Sequence, residues 1–300
     1  MTGGPFDAAG SLVVHNPVSG RAPGRRRASR LVAELVRRGY PAAPTGGPGE
    51  AATIAARAAR HGLRSVIVVG GDGTLFEAIA ELPPEVAIAQ FPTGTVNLFA
   101  RSLAIPTDES RWLSLFEERA TQRVFFARCN DRPFASVASV GFDALVVARV
   151  SRRLKKWIQE GAYAVRALYD LPRYRFPSLA VRVDGDLVPE TLVGVLIGKG
   201  PHFGGPHRVL PSADPLEPTL AVTTLAGHRR IDLLRYARGF LFGTLPRLHG
   251  VSARVAREVV IEATPAAHVE LDGEACGGTP ARFDVEPSPR LVLAPSPQVD

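Results

Sequence analysis

A run of β-branched residues leads directly into a glycine-rich loop at residues 66–77, and this junction limits the folds open to the chain. Residues 66–69 read Val-Ile-Val-Val, and Gly70-Gly71-Asp72-Gly73-Thr74 follows at once. A continuous apolar run predicts a strand buried on both faces, which is typical of parallel sheets. The glycines permit a tight turn and let backbone N–H groups approach an anion at the start of the next helix. The segment therefore predicts a strand–loop–helix unit with a candidate phosphate-binding loop.

Asp72 is unusual in such a loop, because a carboxylate repels a phosphate group. Its presence is reasonable if a Mg²⁺ ion or a hydroxyl proton lies between the two. The alternative is a tight turn in which the aspartate only caps a helix.

Two further loops have the same character. Residues 92–97 (Pro-Thr-Gly-Thr-Val-Asn) follow the predicted strand 86–91, and Thr95 is placed to cap a helix or to donate to a phosphate oxygen. Residues 16–20 (Asn-Pro-Val-Ser-Gly) follow the predicted strand 11–15. Loops after parallel strands lie at one edge of the sheet, where open α/β folds bind ligands. The chain contains neither G-x-x-x-x-G-K-[ST] nor a G-x-G-x-x-G that opens the first helix, which argues against a Walker-type loop and a Rossmann dinucleotide site.

The order of the predicted elements indicates two domains. After an expected disordered tail at residues 1–10, strands alternate with helices over 25–38, 50–61, 75–81 and 96–103, with a loop at 41–49. This order predicts an α/β nucleotide-binding domain at residues 1–122, with a parallel sheet and helices on both faces. Short strand-like runs such as 123–128 and 134–140 then predict a β-rich sandwich domain at 123–300, interrupted by helices near 148–171 and 231–242. Whether the final residues return to the first domain is left open.

Charge and composition set broad limits on partners and compartment. The 36 Lys and Arg residues exceed the 29 Asp and Glu residues, giving a net charge of +7, which suits anionic partners or simply a solvated basic surface. Two cysteines are too few for a disulfide framework or a Cys-based zinc site.

The N-terminus lacks a signal-peptide pattern and no run of 18 apolar residues occurs, so a cytoplasmic protein is expected. No recognition motif supports binding to nucleic acid, and the oligomeric state is undetermined.

A basic, amphipathic segment at residues 149–158 is a candidate membrane contact. It contains Trp157 together with the basic residues Arg149, Arg152, Arg153, Lys155 and Lys156. A helix of this kind can lie on an anionic membrane surface. The alternative is a solvated helix.

Near the C-terminus, Asp272-Gly273-Glu274 ends a predicted strand. Asp-Gly is a common hairpin signal, so a solvated β-turn is one interpretation. The other is a general base that orients and deprotonates an acceptor hydroxyl. If the strand stays extended, the two carboxylates point the same way, whereas a turn at Gly273 breaks that alternation.

Taken together, these motifs resemble the diacylglycerol kinase catalytic-domain family, which includes bacterial diacylglycerol kinases, YegS-like lipid kinases and sphingosine and ceramide kinases. The resemblance rests on motifs spread over nearly the whole chain: Asn16-Pro-x-Ser-Gly20, Thr45-x-x-Pro-Gly-x-Ala51, Gly70-Gly-Asp-Gly-Thr74 with Glu77, Pro92-x-Gly-Thr-x-Asn97-x-x-Ala-Arg101, Gly141-Phe-Asp-Ala144 and Asp272-Gly-Glu274.

The resemblance implies an ATP-dependent lipid kinase that uses Mg²⁺ and transfers the γ-phosphoryl group to a lipid hydroxyl, with diacylglycerol or a related lipid alcohol as acceptor. It assigns ATP binding to Asn16, Thr45, Gly70, Gly71, Asp72, Gly73, Thr74 and Thr95. It places Asp72 beside the phosphates and Mg²⁺, makes Glu274 or its neighbour Asp272 the proton acceptor, and puts Asp143 near the lipid head group. A peripheral membrane location follows only if the basic segment at residues 149–158 contacts the membrane.

The chain departs from the family pattern at a turn that helps to hold a structural Mg²⁺ in bacterial relatives. Glu217-Pro218 stands where the family usually has Asp-Gly, so the expected ligands here are Asp214, Glu217 and Thr219, and retention of this site is in question. Two other functions stay open. One is a small-molecule kinase similar to NAD kinases, which share the Gly-Gly-Asp-Gly-Thr loop, and the other is a non-catalytic lipid- or nucleotide-binding regulator of the same fold.

Overall fold

The computed structural model describes residues 4–150, 161–205 and 207–296. The chain packs as two compact units. Unit 1 comprises Met1–Phe126, Pro215–Glu217 and Glu286–Asp300, and unit 2 comprises Ala127–Asp214 and Pro218–Val285. The chain therefore first passes from one unit to the other after Phe126, whereas the sequence places that boundary after residue 122.

Unit 1 contains one six-stranded sheet and the helices that connect its strands. The strands are β1 (Ser11–His15), β2 (Ala42–Pro44), β3 (Ser65–Gly70), β4 (Ala87–Pro92), β5 (Thr121–Val124) and, from the end of the chain, β20 (Arg290–Leu293). The helices are α1 (Ala22–Arg37), α2 (Glu50–Ala59), α3 (Asp72–Ala80), α4 (Leu98–Ser102) and α5 (Glu109–Glu117). The spatial order is β2-β1-β3-β4-β20-β5, and only the pair of β20 and β5 is antiparallel.

This strand order reverses direction at β1. The chain moves outward from β1 to β2 through α1, and then returns past β1 to β3 through α2. Because crossovers between parallel strands are right-handed, α1 and α2 lie on opposite faces of the sheet. The gap between the carboxyl ends of β1 and β3 is therefore the topological switch point, the usual ligand crevice of an open α/β sheet.

Hydrophobic patterning explains the elements around this crevice. All six residues of β3 are buried, as expected for a central strand covered on both faces. In α1, Ala28, Leu31 and Leu35 are buried at spacings of three and four, which places them on one face of the helix.

Unit 2 is built from two antiparallel six-stranded sheets and a small hairpin. The first sheet has the order β10-β9-β16-β19-β6-β7 and contains β6 (Ala127–Cys129), β7 (Arg132–Phe134), β9 (Ser178–Val183), β10 (Asp186–Leu187), β16 (Glu258–Thr264) and β19 (Ala281–Val285). The second has the order β15-β14-β11-β8-β17-β18 and contains β8 (Val137–Gly141), β11 (Leu192–Gly198), β14 (Leu220–Ala226), β15 (Val251–Ala256), β17 (His268–Leu271) and β18 (Glu274–Gly278). The hairpin pairs β12 (His202–Phe203) with β13 (His207–Arg208), and the described helices are α6 (Phe142–Arg149), α7 (Gly161–Asp170) and α8 (Arg230–Leu241).

Apolar residues of both large sheets of unit 2 form one buried cluster. Val181 and Phe283 come from the first sheet, and Val195 and Val222 from the second. Strand β9 alternates strictly between exposed and buried residues, as a strand with one face on a core does. The unit is therefore a β-sandwich, and the predicted fold class is confirmed for both halves of the chain.

The structure differs from the sequence-based expectations at several elements. Residues 4–10 are not a disordered tail, because Phe6 is buried and packs on the ring of Phe116 at 5.8 Å. The loop predicted at 41–49 contains β2, α5 was not predicted, and α3 begins three residues earlier than expected, at Asp72. The runs 123–128 and 134–140 each divide into two strands. Of the helix predicted near 148–171, residues 151–160 lie outside the described residues.

Candidate functional site

Three loops meet at the switch-point edge of the sheet in unit 1. A Cβ atom built on Gly71 would lie 3.1 Å from the Cα of Gly94, and one built on Gly94 would lie 2.8 Å from the Cα of Gly71. Gly20 has φ of +75°, and a Cβ there would lie 1.9 Å from the carbonyl oxygen of Thr93. Side chains at these positions would force the loops apart, so glycine is required for the close approach.

Hydrogen bonds join the same three loops. The side-chain amide of Asn16 donates to the Thr74 hydroxyl at 3.4 Å. The Thr93 hydroxyl donates to the Ser19 hydroxyl at 3.0 Å, and the Thr93 N–H donates to the carbonyl of Gly70 at 3.0 Å. The loops after β1, β3 and β4 thus form one cluster, as the sequence predicts.

Asp72 links the start of α3 to the start of α4. Its Oδ2 accepts a hydrogen bond of 2.7 Å from the N–H of Leu98, the first residue of α4, whose own N-cap Asn97 makes no side-chain cap. Burial raises the pKa of Asp72, while the N–H groups of Leu98 and Phe99 act in the opposite direction. The carboxylate therefore caps the helix of the neighbouring loop.

The other oxygen of Asp72, Oδ1, is buried and forms no hydrogen bond of normal geometry within the described residues, although the nearby Gln90 side chain helps to lower the pKa of the carboxyl group. An oxygen of this kind fits as a single carboxylate ligand of Mg²⁺, which usually takes one or two carboxylates from the protein and its other ligands from phosphates and water.

The N-terminus of α3 is open to a ligand. Gly71 is its N-cap and provides no side-chain cap, and a Cβ on Gly73 would meet nothing within 4 Å. The first N–H groups of a helix have no partner inside the helix and carry a partial positive charge. An uncapped start next to open space suits a phosphate group.

The two remaining predicted nucleotide-binding residues lie on neighbouring loops. Thr45 follows β2, is buried, and donates its N–H to the carbonyl of His15 at 2.8 Å. Thr95 is exposed on the loop after β4. Both belong to the carboxyl edge of the sheet.

In unit 2, Asp272 and Gly273 form the two-residue turn of the β17–β18 hairpin, with φ of +51° and +88°. The Asp272 carboxylate accepts three hydrogen bonds of 2.9 Å from the N–H groups of Ala135, Ser136 and Val137. The turn breaks the strand alternation, so Asp272 and Glu274 do not share a strand face. Asp272 instead anchors the hairpin to the segment between β7 and β8.

Glu274 is the first residue of β18 and is exposed. Its side chain keeps 53% of its surface accessible and lies 4.0 Å from the guanidinium of Arg132. Of the two carboxylates, Glu274 is therefore the one accessible to a substrate hydroxyl.

Asp143 belongs to a cluster of acidic and hydroxyl groups with Ser139 and Glu270. The Ser139 hydroxyl donates to Glu270 Oε2 at 2.9 Å, and Glu270 also accepts from the N–H of Gly273. Burial, followed by the charge of Asp143, raises the pKa of Glu270 to about 8. Burial likewise raises the pKa of Asp143, a half-buried residue whose Oδ2 is buried without a hydrogen-bond partner in the described part of the chain. Both carboxyl groups therefore favour the protonated form more than isolated carboxyl groups do.

The turn expected to hold a structural Mg²⁺ is arranged differently. Asp214 and Glu217 are exposed, and the buried ammonium of Lys199 donates to the backbone carbonyls of Asp214 and Thr219. Within the described residues, no group of three or more His, Cys, Asp or Glu side chains could hold a metal ion. An ammonium between these two carbonyls leaves the turn with Asp214, Glu217 and Thr219 poorly suited to a divalent cation.

Sequence reasoning did not single out several residues of these clusters. Ser19 and Thr93 lie in the predicted loops, but no sequence pattern distinguishes their hydroxyl groups. Ser139 and Glu270 sit opposite each other on β8 and β17, a register that only the paired strands reveal. A glutamate inside a buried strand was the available signal for Glu270, because such residues are rarely fully buried without a partner.

Two protein families match the chain and together span most of it. The diacylglycerol kinase catalytic domain matches residues 10–129, and the YegS C-terminal NAD kinase beta sandwich-like domain matches residues 136–294. A protein of Pseudomonas aeruginosa named "probable lipid kinase YegS-like" is 30% identical over 260 residues, which cover 83% of this chain and 82% of the relative.

Solved structures show the same fold. A diacylglycerol kinase of Bacillus anthracis has a TM-score of 0.71 at 19% identity, over 95% of this chain and 97% of that one. An NAD kinase of Archaeoglobus fulgidus in complex with ATP has a TM-score of 0.55 at 16% identity, over 95% of this chain and 94% of that one. With both family matches in order along the sequence, this chain belongs to the family of diacylglycerol kinases and YegS-like lipid kinases.

Proposed function

We propose that this protein transfers the γ-phosphoryl group of ATP to the hydroxyl group of a lipid, with diacylglycerol or a related lipid alcohol as acceptor. The observation that carries the proposal is the uncapped N-terminus of α3 at the switch point between β1 and β3. Membership of a lipid kinase family supports the acceptor class.

The glycine loops of unit 1 are the proposed ATP site. The N–H groups at the start of α3 bind phosphate oxygens, and the hydroxyls of Thr74 and Thr95 and the amide of Asn16 are the proposed polar contacts around them. Asp72 is the proposed protein ligand of Mg²⁺, which would neutralise charge on the phosphates. Its bond to Leu98 keeps the carboxylate in place.

Glu274 is the proposed residue that orients the acceptor hydroxyl and accepts its proton. In a loose phosphoryl-transfer transition state, the base need not be strong, so an ordinary exposed carboxylate suffices. Asp272 fixes the hairpin from which Glu274 projects. Asp143 is the proposed contact to the lipid head group.

Incubation of the purified protein with γ-labelled ATP and Mg²⁺ tests the proposal. Diacylglycerol, ceramide, a sphingoid base and phosphatidylglycerol are presented separately in detergent micelles, and NAD is included as a competing acceptor. We expect label in one lipid class. Label in NAD alone would support the small-molecule kinase, and nucleotide or lipid binding without transfer would support the regulator.

We also propose that α8 brings the protein to an anionic membrane surface. Four large apolar side chains in and just after this helix are exposed to solvent. The exposed fractions are 63% for Ile231, 47% for Leu234, 67% for Leu241 and 73% for Phe242. At 100° per residue, Ile231, Leu234 and Leu241 fall within about 80° of the helix circumference. Residues 228–250 contain five arginines and one aspartate, and an apolar stripe among cations suits anionic lipids.

The segment for which membrane contact was expected, with Arg152, Arg153, Lys155 and Lys156, lies outside the described residues. Within the described ranges, no helix is both long enough and apolar enough to cross a bilayer. Contact through an exposed face of α8 requires no such helix.

A further inference from the structure

A lysine ammonium lies inside the turn where the family resemblance implies a metal ion. Lys199 directly follows β11, and its side chain is fully buried. Its Nζ donates to the carbonyl oxygen of Asp214 at 2.8 Å and to that of Thr219 at 2.7 Å. Two carbonyl oxygens separated by five positions in the chain thus converge on one cation.

Converging carbonyl oxygens repel each other unless a positive charge lies between them. Backbone carbonyls are also common ligands of Ca²⁺ and accompany carboxylates in many divalent-cation sites. Here the positive charge is covalently attached to the protein, and it occupies the position between the oxygens. A divalent cation placed there would have to displace this fully buried ammonium group.

The choice of lysine is itself informative. The chain contains 33 arginines and only three lysines, at positions 155, 156 and 199. A guanidinium is planar and presents a fixed fork of donors, whereas an ammonium is a compact point charge with three donors. Only the ammonium resembles a small cation among carbonyl oxygens.

We propose that the Lys199 ammonium is a built-in cation that replaces the structural divalent metal of this turn, so that the chain takes no metal ion there. Asp214 and Glu217 are both exposed, whereas the side chain of Lys199 is fully buried. The proposal does not depend on which phosphate donor or acceptor the protein uses.

The built-in cation is connected to the candidate acceptor site of unit 2. The backbone N–H groups of Lys199 and Gly200 both donate to the carbonyl of Ser136, at 2.9 and 3.1 Å. The N–H of Ser136 donates in turn to the carboxylate of Asp272, which anchors the hairpin carrying Glu274. These contacts with Ser136 use the backbone at residues 199 and 200, whereas the Lys199 ammonium bonds the carbonyls of Asp214 and Thr219.

Metal dependence of the wild-type protein provides the first test. Thermal unfolding is measured without nucleotide, in EDTA and then in millimolar Mg²⁺, Ca²⁺ or Mn²⁺, and Mn²⁺ binding is measured by electron paramagnetic resonance. We expect no shift of the unfolding midpoint with any of the ions. The proposal would be overturned if the wild-type protein bound Mn²⁺ without nucleotide and this binding followed the turn. In that case Asp214→Asn/Glu217→Gln would lose the binding, and Asp72→Asn would retain it.

Removal of the ammonium provides the second test. Lys199→Ala should lower the unfolding midpoint by about 5 °C or more, because the two carbonyls lose their charged donor. Methylammonium or ethylammonium should restore part of the midpoint, whereas the uncharged control ethanol should not. Equal rescue by ethanol, or an unchanged midpoint for Lys199→Ala, would show that only packing volume matters and would contradict the proposal. If Lys199→Ala does not fold, the wild-type measurements alone decide.

Discussion

At the scale of single residues, the carboxylates of this protein divide by what surrounds them. Asp72 and Asp272 bond to backbone N–H groups of distant segments, whereas Glu274 stays exposed. Glu270 and Asp143 are held in surroundings that favour the protonated form. Each environment leads to a separate test.

Substitution of Asp72 by asparagine should abolish turnover while leaving the fold intact. Asparagine keeps an oxygen that accepts from the N–H of Leu98, but it removes the charge proposed to hold Mg²⁺. Turnover is measured with saturating ATP, and the thermal midpoint reports folding. Asp108→Asn is the matched control, since Asp108 also caps a helix by accepting from the Arg111 N–H. Wild-type turnover in Asp72→Asn would contradict the assignment.

Glu274→Gln and Asp272→Asn should fail in different ways. Loss of the positioned base should lower kcat by about 10²–10⁴-fold in Glu274→Gln, with unchanged ATP affinity and stability. Asp272→Asn places an amide group against backbone N–H donors, so its main effect should be a lowered unfolding midpoint. Kinetics, nucleotide binding and thermal unfolding of both variants separate these roles. Full activity in both would leave the motif as a simple hairpin turn.

Protonation of Glu270 should make stability depend on pH. Its pKa is about 8 in the folded protein, against an ordinary value of 4.5, so the unfolded chain loses this proton first as pH rises. Stability should therefore decline between about pH 4.5 and 8, by up to about 1.4 kcal/mol per pH unit. Glu270→Gln cannot ionise and should flatten this decline in urea unfolding measured from pH 5 to 8. The exposed control Glu262→Gln, also in unit 2, should keep the wild-type decline of stability with pH. Parallel curves for Glu270→Gln and wild type would refute the assignment.

At the scale of secondary structure elements, helix ends and faces carry the proposed contacts. The open start of α3 is available to a phosphate because the nearest carboxylate, that of Asp72, caps α4 instead. Helix α8 buries Tyr236 and Gly239 and leaves the opposite side exposed. Its stripe of apolar residues between arginines is the element-scale feature open to direct test.

Binding to anionic vesicles should depend on α8. In Arg230→Gln/Arg238→Gln, loss of two charges worth about 1 kcal/mol each should weaken partitioning by about 30-fold at low salt. Ile231→Ser/Leu241→Ser/Phe242→Ser should weaken it further by removing apolar contact. Co-sedimentation with phosphatidylglycerol vesicles measures both, and Leu187→Ser on exposed β10 is the control for an apolar residue elsewhere. Unchanged sedimentation of both α8 variants would assign this face to solvent.

At the scale of the whole molecule, the end of the chain completes the first unit. Strand β20 lies between β4 and β5, although nearly 200 residues separate it from β4 in sequence. Buried Arg290 bonds both carboxylate oxygens of Glu286 at 2.8 and 2.6 Å, and it donates to the carbonyls of Leu82 and Ile79 at the end of α3. The C-terminal segment therefore stabilises the unit that contains the glycine loops.

Arg290→Met should destabilise the protein by about 3–5 kcal/mol, because it leaves the Glu286 carboxylate buried without its partner. Arg290→Met/Glu286→Met removes both charges and should recover part of that loss. Urea unfolding followed by intrinsic fluorescence measures both, since Trp112 packs within unit 1 against Phe116. A loss below about 1 kcal/mol in the single variant would show that the pair adds little to stability.

Local sequence determined the parts of this protein that depend on short-range patterns. Continuous apolar runs and glycine-rich turns predict the strand–loop–helix units. The parallel order of the strands then predicts that their loops lie at one edge of the sheet. The clustered loops of unit 1 confirm this placement. Only the tertiary structure decided how the polar groups pair: Asp72 bonds Leu98 across 26 positions, and Asp272 bonds Ser136 across 136. Lys199 likewise meets carbonyls 15 and 20 positions away. Pairings over such distances leave no periodic signal, because strand register and turn geometry, and not local propensity, bring the partners together.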